Sequence, residues 1–220
     1  MPEERKRQKN SALKLTILFI FLYGLVTQQV LANTWIRRLD EWIYERDFLL
    51  ITPGKTPTLV MLVDDLGLRS ITAIFLLTTA AIISRRFKSW RPLNLSILAV
   101  LALNLVVGLA KLGVGRTKPR LNVDLVYAGG LSYPSGHASN AILTWGVLAY
   151  ILYRYSHPDA WHPYAMGFLA GAFTLGVTVV SAFRNTHWLS DLLGGLFIGG
   201  ALLVMVIAVD RYVPSEKQIS

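Results

Sequence analysis

The sequence has 220 residues, of which 53% are hydrophobic and only 16% are charged, and its formal net charge is +9. In soluble domains about a quarter of the residues are charged, so this composition indicates a membrane protein. The chain contains no cysteine, which excludes a disulfide framework and thiol chemistry. Contacts with anionic lipid headgroups explain the positive charge better than nucleic acid does, so no nucleic-acid partner is expected.

The first segment combines a basic start with an apolar stretch, as a signal peptide would. Its apolar part, Ala12–Ala32, is longer than the usual signal-peptide core and is long enough to cross a bilayer. Val30 and Leu31 before Ala32 make a poor cleavage pattern. We therefore predict an uncleaved first membrane helix.

Six apolar segments are about long enough to span a membrane. The second is the weakest, because Arg69 lies in its first turn, and only a few residues separate the last two, which predicts a tight hairpin. The fold class is thus all-α, a polytopic membrane protein with six transmembrane helices. The segments are Ala12–Ala32, Leu66–Ser84, Leu93–Leu112, Ser135–Tyr153, Tyr164–Phe183 and Trp188–Val209.

Lysines and arginines in the short loops bear on the orientation of these helices. The two sides are almost evenly basic, but the flank before the first helix is strongly so, which favours an N-terminus on the inside. The loops between helices 1 and 2, 3 and 4, and 5 and 6 then share the outer face.

The long connection Thr34–Asp65 contains apolar residues at a helical period, beginning with Trp35. This pattern predicts an amphipathic helix between helices 1 and 2, lying either in the membrane interface or as an ordinary packed surface helix. Pro53-Gly54 and Pro57 then end it. Nothing indicates a second domain, so residues 1–220 are expected to form one.

Ser135-Gly136-His137 begins the fourth apolar segment. Serine suits a helix N-cap, glycine allows a ligand close to the backbone, and a helix N-terminus binds phosphate through its free amides. A plain helix cap followed by a histidine is the alternative.

His187 and Asp191 are four residues apart at the start of the last segment, which places both on one helix face. The carboxylate can then fix the imidazole tautomer and leave the other nitrogen free for nucleophilic attack. A structural ion pair is the alternative.

A basic cluster precedes these histidines and could hold a phosphate or anchor lipid headgroups. His157 and His162 lie in the opposite loop and receive no role. The cluster consists of Lys111, Arg116, Lys118 and Arg120.

Together these residues resemble the type-2 phosphatidic acid phosphatase superfamily of integral membrane lipid phosphatases. The family pattern is lysine, six residues, arginine-proline; then proline-serine-glycine-histidine; then serine-arginine, five residues, histidine, three residues, aspartate. Pro134 to His137 match the second part completely, and His187 and Asp191 match the third. The motifs span about Leu93 to Gly200, and six helices extend the resemblance to nearly the whole chain.

Two positions depart from that pattern. Lys111 and Pro119 match the first part, but Lys118 stands where the family has arginine, which loses the bidentate fork. Arg116 and Arg120 are alternatives for that role. In the third part Ser181 occupies the arginine position, and Arg184 lies three residues before His187 instead.

The resemblance implies metal-free hydrolysis without a cofactor. His187 would attack phosphorus to form a phosphohistidine, Asp191 would orient it, and His137 would protonate the leaving group. The phosphate-binding groups would be Lys111, Lys118, Arg184, Arg116 and the amides near Ser135 and Gly136.

The expected substrate is a membrane lipid phosphate, such as phosphatidylglycerol phosphate, phosphatidic acid or undecaprenyl diphosphate, without preference among them. The expected location is a bacterial inner membrane with the site on the periplasmic or exterior face. A non-catalytic lipid-phosphate binding or transport protein is the alternative; a vanadate haloperoxidase is disfavoured, because those relatives are soluble. The oligomeric state is not determined by the sequence.

Overall fold

The computed structural model describes residues 2–46, 56–119, 131–155 and 162–212. These ranges are helical throughout, apart from short turns and one isolated bridge between Thr117 and Leu131. The helices they contain are α1 (Pro2–Leu31), α2 (Trp35–Arg46), α3 (Thr58–Asp65), α4 (Arg69–Arg86), α5 (Arg91–Val114), α6 (Gly136–Tyr155), α7 (Pro163–Phe183) and α8 (Leu189–Tyr212).

Helix α6 lies at the centre of the bundle and packs against α4, α5, α7 and α8. Helix α1 covers α8 from the outside, and the short α3 lies on α7. Leucine, valine and alanine side chains of α4, α5, α6 and α8 fill the main core. Its fully or almost fully buried members include Leu76, Ala99, Leu103, Leu143 and Val147.

Four helices in the described ranges are long and apolar enough to cross a membrane: Lys6–Leu31 of α1, α5, Tyr164–Phe183 of α7, and α8. Helices α3 and α4 meet the test only as a pair, which is bent by 57° around residues 66–68. The membrane character of the chain is therefore confirmed, whereas the predicted count of six spans is not.

Helix α6, predicted as the span Ser135–Tyr153, does not meet this test for a physical reason. Ser139, Asn140 and Thr144 make it more polar than a lipid-facing helix, and all three are buried among neighbouring helices. Each also hydrogen-bonds within the protein, so the polar groups are satisfied. Because neighbouring helices bury these polar groups, α6 does not need a continuous apolar surface.

Helix α2 corresponds to the predicted amphipathic helix. Trp35 and Trp42 are exposed, while Ile36 and Asp40 on the other face are buried. The helix contacts α1 and α8, so one of its faces is packed on protein. Residues 47–55, which include Pro53-Gly54, lie outside the described residues, and the interfacial location stays a prediction.

A buried carboxylate ties three helices together at the end of the bundle where α8 finishes. Asp210 accepts hydrogen bonds from Arg91 Nε at 2.7 Å, Tyr150 Oη at 2.8 Å and Tyr155 Oη at 2.5 Å. The Asp210 side chain is only 3% exposed, so its charge depends on these donors rather than on water. This contact fixes the ends of α5, α6 and α8 relative to one another.

We expect Asp210→Ala to lower the free energy of unfolding by about 1–3 kcal/mol, because two tyrosine hydroxyls and a guanidinium lose their common acceptor. Thermal unfolding in detergent measures the change. The control is Glu45→Ala on the exposed end of α2, which should change stability by less than about 0.5 kcal/mol. Equal losses in the two variants would show that the Asp210 contacts do not stabilise the bundle.

Candidate functional site

The opposite end of the bundle gathers the residues singled out in the sequence. Helices α5 and α7 end there, and α6 and α8 begin there. The imidazole rings of His137 on α6 and His187 before α8 lie with their centroids 6.0 Å apart. Two motifs that are distant in the sequence thus face one another across one narrow space.

His187 and Asp191 lie side by side, as their spacing predicts. Nδ1 of His187 is 3.5 Å from Oδ2 of Asp191, and both side chains are almost fully buried. That distance is long for a hydrogen bond, and Nδ1 has no closer acceptor. Catalytic hydrogen bonds in proteins without substrate are often long in this way. Because Nδ1 faces the carboxylate, Nε2 is the nitrogen left for other contacts.

Asp191 is held by donors from two directions. Its Oδ1 lies 3.2 Å from Nη1 of Arg116, and its Oδ2 accepts the Trp188 backbone amide at 3.0 Å. Trp188 in turn donates its indole N–H to the Thr117 carbonyl at 3.0 Å. These contacts fix the start of α8 against the residues that follow α5.

Asp40 is part of this cluster, although the sequence analysis gave it no role. Its carboxylate accepts the Ser190 amide at 2.9 Å and the Ser190 hydroxyl at 2.5 Å. It also pairs with Nη2 of Arg116 at 2.8 Å. The only signal in the sequence was an acid four residues after Ile36, on the apolar face of an amphipathic helix. The Arg116 side chain is itself only 8% exposed. Its guanidinium joins the buried carboxylates of Asp40 and Asp191.

Ser135 caps α6 as predicted. Its Oγ accepts the Ala138 amide at 3.3 Å, and its own amide donates to the Asp191 carbonyl at 2.8 Å. The amides of Gly136 and His137 belong to the first turn of the helix, where no intrahelical acceptor exists. The start of α6 therefore offers donors beside the two histidines.

Glycines on α8 let α6 come close enough to place His137 beside His187. A Cβ at Gly195 would stand 2.6 Å from the Ser135 carbonyl oxygen, and one at Gly199 would stand 2.7 Å from that of Ser139. Neither backbone atom can move alone. Small residues at these two positions thus set the separation of α6 and α8.

The predicted basic cluster divides into different roles. Lys111 donates to the carbonyls of Leu131 at 2.6 Å and Ser132 at 3.3 Å, which holds the segment before Ser135. Lys118 is partly exposed. Arg120 lies outside the described residues, as does His157.

Arg184 forms an ion pair with Asp64 at the end of α3. The same carboxylate accepts the hydroxyl of Ser181 at 2.9 Å, the residue that stands where the resembled family has arginine. Sequence analysis did not single out Asp64, since nothing local distinguishes it from the neighbouring Asp65. In this structure the Arg184 guanidinium is held beside the site by a protein carboxylate.

Arg69, the first residue of α4, also reaches the site. Its Nη2 lies 4.0 Å from the point where a Cβ on Gly136 would stand. In the sequence this arginine is only a charge that weakens a predicted membrane segment. The bend between α3 and α4 could not be located from the pattern, and that bend places Arg69 here.

Burial is the main influence on the charge of His187. It lowers the pKa of the imidazole below its usual value, and the nearby Lys111 and Lys118 lower it further. Asp191 opposes these effects by stabilising the protonated ring. A neutral imidazole held next to a carboxylate is suited to nucleophilic attack.

Comparison with known proteins supports this architecture. A family model described as the PAP2 superfamily matches residues 92–214, which is more than half of the chain. The match includes His137, His187, Asp191, Lys111 and Lys118.

A curated relative, phosphatidylglycerophosphatase B of Bacillus subtilis (strain 168), is 24% identical over 199 residues, or 90% of this chain and 97% of the relative. A crystal structure of a transmembrane PAP2 type phosphatidylglycerolphosphate phosphatase from Bacillus subtilis superposes with a TM-score of 0.77 at 23% identity. The superposition covers 93% of this chain and 98% of that one, so the two share a fold.

We expect Gly195→Ala to destabilise the protein by about 1–3 kcal/mol, because its methyl group would overlap the Ser135 carbonyl. Gly108→Ala is the matched control, since a Cβ there meets nothing within 4 Å. It should be neutral or stabilise by up to about 1 kcal/mol. Thermal unfolding of both variants in detergent checks this, and a neutral Gly195→Ala would mean that α6 and α8 are not in tight contact.

Proposed function

Because this chain belongs to the PAP2 superfamily, we propose that it is an integral membrane enzyme that hydrolyses the phosphate ester of a membrane lipid. The observation that carries the proposal is the buried His187–Asp191 pair facing His137 at a ring separation of 6.0 Å. A phosphoryl group between the rings would have a nucleophile on one side and a proton donor on the other. The phosphatase name of the relative from Bacillus subtilis supports the same activity.

The orientation of His187 assigns the atoms in the first step. With Nδ1 turned to Asp191, Nε2 attacks phosphorus and forms a P–N bond while the bond from phosphorus to the lipid oxygen breaks. The electron pair goes to that oxygen, which takes a proton from His137. Asp191 stabilises the positive charge that develops on the His187 ring.

Water completes the cycle in a second step. His137, now neutral, accepts a proton from a water molecule that attacks the phosphohistidine. The P–N bond breaks, its electron pair returns to Nε2, and inorganic phosphate leaves. Both histidines are then back in their starting states.

Positive groups around the histidines hold the phosphoryl oxygens. Lys118 and the first amides of α6 are the groups best placed, because neither is bound to a protein acceptor among the described residues. Lys111, Arg116 and Arg184 each contact protein acceptors. To bind phosphate as predicted, each of these three side chains must share or exchange its contact with the protein.

The preferred substrate within the proposal is phosphatidylglycerol phosphate, because that lipid is named in the relative from Bacillus subtilis. Phosphatidic acid presents the same terminal phosphomonoester. In undecaprenyl diphosphate the terminal phosphate is joined by a phosphoanhydride, so its leaving oxygen belongs to the remaining phosphate; both lipids belong to the same panel.

The proposal includes six membrane crossings, with the N-terminus inside. Helix α4 carries exposed apolar residues such as Ile74, Phe75 and Ile82, which suit lipid contact. Helix α6 is shielded by protein, so the bilayer does not have to solvate its polar groups. We place the site on the outer face of a bacterial inner membrane, because the basic flank of α1 favours the inside.

Purified protein in detergent should release inorganic phosphate from at least one of the three lipids, with EDTA present. His187→Ala should abolish release, and His137→Ala should reduce it at least about 100-fold, because general acid catalysis contributes about that much. Brief incubation of His137→Ala with radiolabelled substrate should trap an acid-labile, base-stable phosphoprotein.

His162→Ala is the matched control, since this exposed histidine lies at the opposite end of the bundle and should leave the rate unchanged. Normal turnover by His187→Ala would refute the mechanism. A folded protein that releases no phosphate from any of the lipids would favour non-catalytic binding of lipid phosphates.

The lowered pKa of His187 has a consequence for the pH profile. The neutral imidazole persists at pH values where an exposed histidine is already protonated, so the acid limb of kcat/KM should fall below about pH 6.5. Asp191→Asn removes the group that raises the His187 pKa, so that limb should move lower still while the maximal rate falls. As a control, the pKa of the substrate's own phosphate is measured in the same micelles. An acid limb above pH 6.5 that is not due to substrate would contradict a buried neutral nucleophile.

A further inference from the structure

This chain lacks arginine at two positions near the motif histidines where the resembled family has it. Lys118 and Ser181 stand where the resembled family has arginine, so this chain has no guanidinium at either position. Lysine binds phosphate as a point charge, and serine cannot replace the charge at all. A planar fork for the phosphate must therefore come from elsewhere in the chain.

The two arginines closest in sequence to the motifs are already engaged. Arg116 is 8% exposed and joins Asp40 to Asp191. Arg184 pairs with Asp64. Releasing either guanidinium would leave a buried or half-buried carboxylate without its cation, which is costly.

Arg69 differs from both, because its side chain is exposed. Helix α4 has no acidic residue along Arg69–Arg86, and among the described residues no carboxylate forms an ion pair with Arg69. Its Nη2 lies 4.0 Å from the Cβ position of Gly136, which is at the amide-lined start of α6. The Arg69 charge also acts on the Lys111 ammonium, so it lies within the same electrostatic site.

The turn before Arg69 is held by hydrogen bonds from side chains of α6. Asn140 donates to the Gly67 carbonyl at 2.9 Å, and Trp145 donates to the Leu66 carbonyl at 2.9 Å. Both donors are on α6, so the turn before Arg69 is bound to the helix that carries His137. A Cβ on Gly67 would stand 2.6 Å from Cγ1 of Val177 and 3.0 Å from the His137 ring, so a larger residue there would displace these side chains.

We infer that Arg69 supplies the guanidinium that binds the transferring phosphate, in place of the arginines absent at positions 118 and 181. The assignment rests on the proposed function. The phosphate would lie against the first turn of α6, with Arg69 on the side of α4 and Lys118 on the side of α5. A bidentate contact would hold two phosphoryl oxygens while the lipid oxygen faces His137.

Arg69→Gln, Arg69→Lys and Arg85→Gln test this. Arg85 is exposed at the far end of the same helix, so Arg85→Gln makes the same charge change away from the site. Arg69→Gln should raise KM about 10- to 100-fold, the loss expected for a charge-assisted contact. Arg69→Lys should fall between it and the parent protein, and Arg85→Gln should match the parent.

Binding of inorganic phosphate, measured by calorimetry, gives a second readout that needs no turnover. Its Kd should rise by a similar factor in Arg69→Gln and stay unchanged in Arg85→Gln. Thermal unfolding verifies that each variant is folded. If the parent protein binds phosphate through Arg69 but hydrolyses no lipid, the proposed function fails, and what stands is only that Arg69 binds phosphate.

Two results would overturn the assignment. One is an unchanged KM and phosphate Kd in folded Arg69→Gln. The other is a loss seen with phosphatidylglycerol phosphate but not with phosphatidic acid, because Arg69 would then contact the second, non-transferred phosphate of the headgroup. Equal losses on both lipids support a contact with the phosphate that is transferred.

Discussion

The site depends on one buried carboxylate, that of Asp191. It is fully buried, and an ionised carboxylate without water needs fixed donors. Arg116, the Trp188 amide and His187 surround it, while its backbone carbonyl accepts the Ser135 amide. One residue therefore joins the start of α8, the start of α6 and the end of α5. The distance between the two histidines follows from this junction and from the small residues of α8 that let α6 approach.

The charged groups at this end of the bundle fall into two classes that differ in exposure. Arg116 and Arg184 are matched with Asp40, Asp191 and Asp64, and such pairs hold helices that hydrophobic packing alone would not fix in register. Lys118 and Arg69 keep contact with water, so an anion can replace that water at little cost. A buried cation needs a permanent partner, whereas a ligand-binding cation must remain available until the ligand arrives.

The bundle also reconciles a polar helix with a membrane. Helix α6 carries His137 and a row of buried hydroxyl and amide groups, which bind the turn between α3 and α4 and the helix itself. Outer helices provide the lipid-facing surface, so the central helix is free to carry chemistry. The Asp210 contacts at the other end fix α6 a second time, which limits its rotation and keeps the imidazole directed at His187.

The sequence by itself determined the helical class, the membrane character, the Ser135 cap and the pairing of His187 with Asp191, because each depends on composition or on spacing within one helix. It did not predict that Asp40, Asp64 and Arg69 lie beside the two histidines. These residues carry no local pattern, and they reach the site only through the docking of α2 on α8 and the bend between α3 and α4. Hydropathy alone did not decide whether α6 spans a membrane, since the burial of its polar groups depends on its neighbours. Patterns within one helix can be recognised in the sequence. Contacts between buried charges depend on the packing of segments that are distant in the sequence.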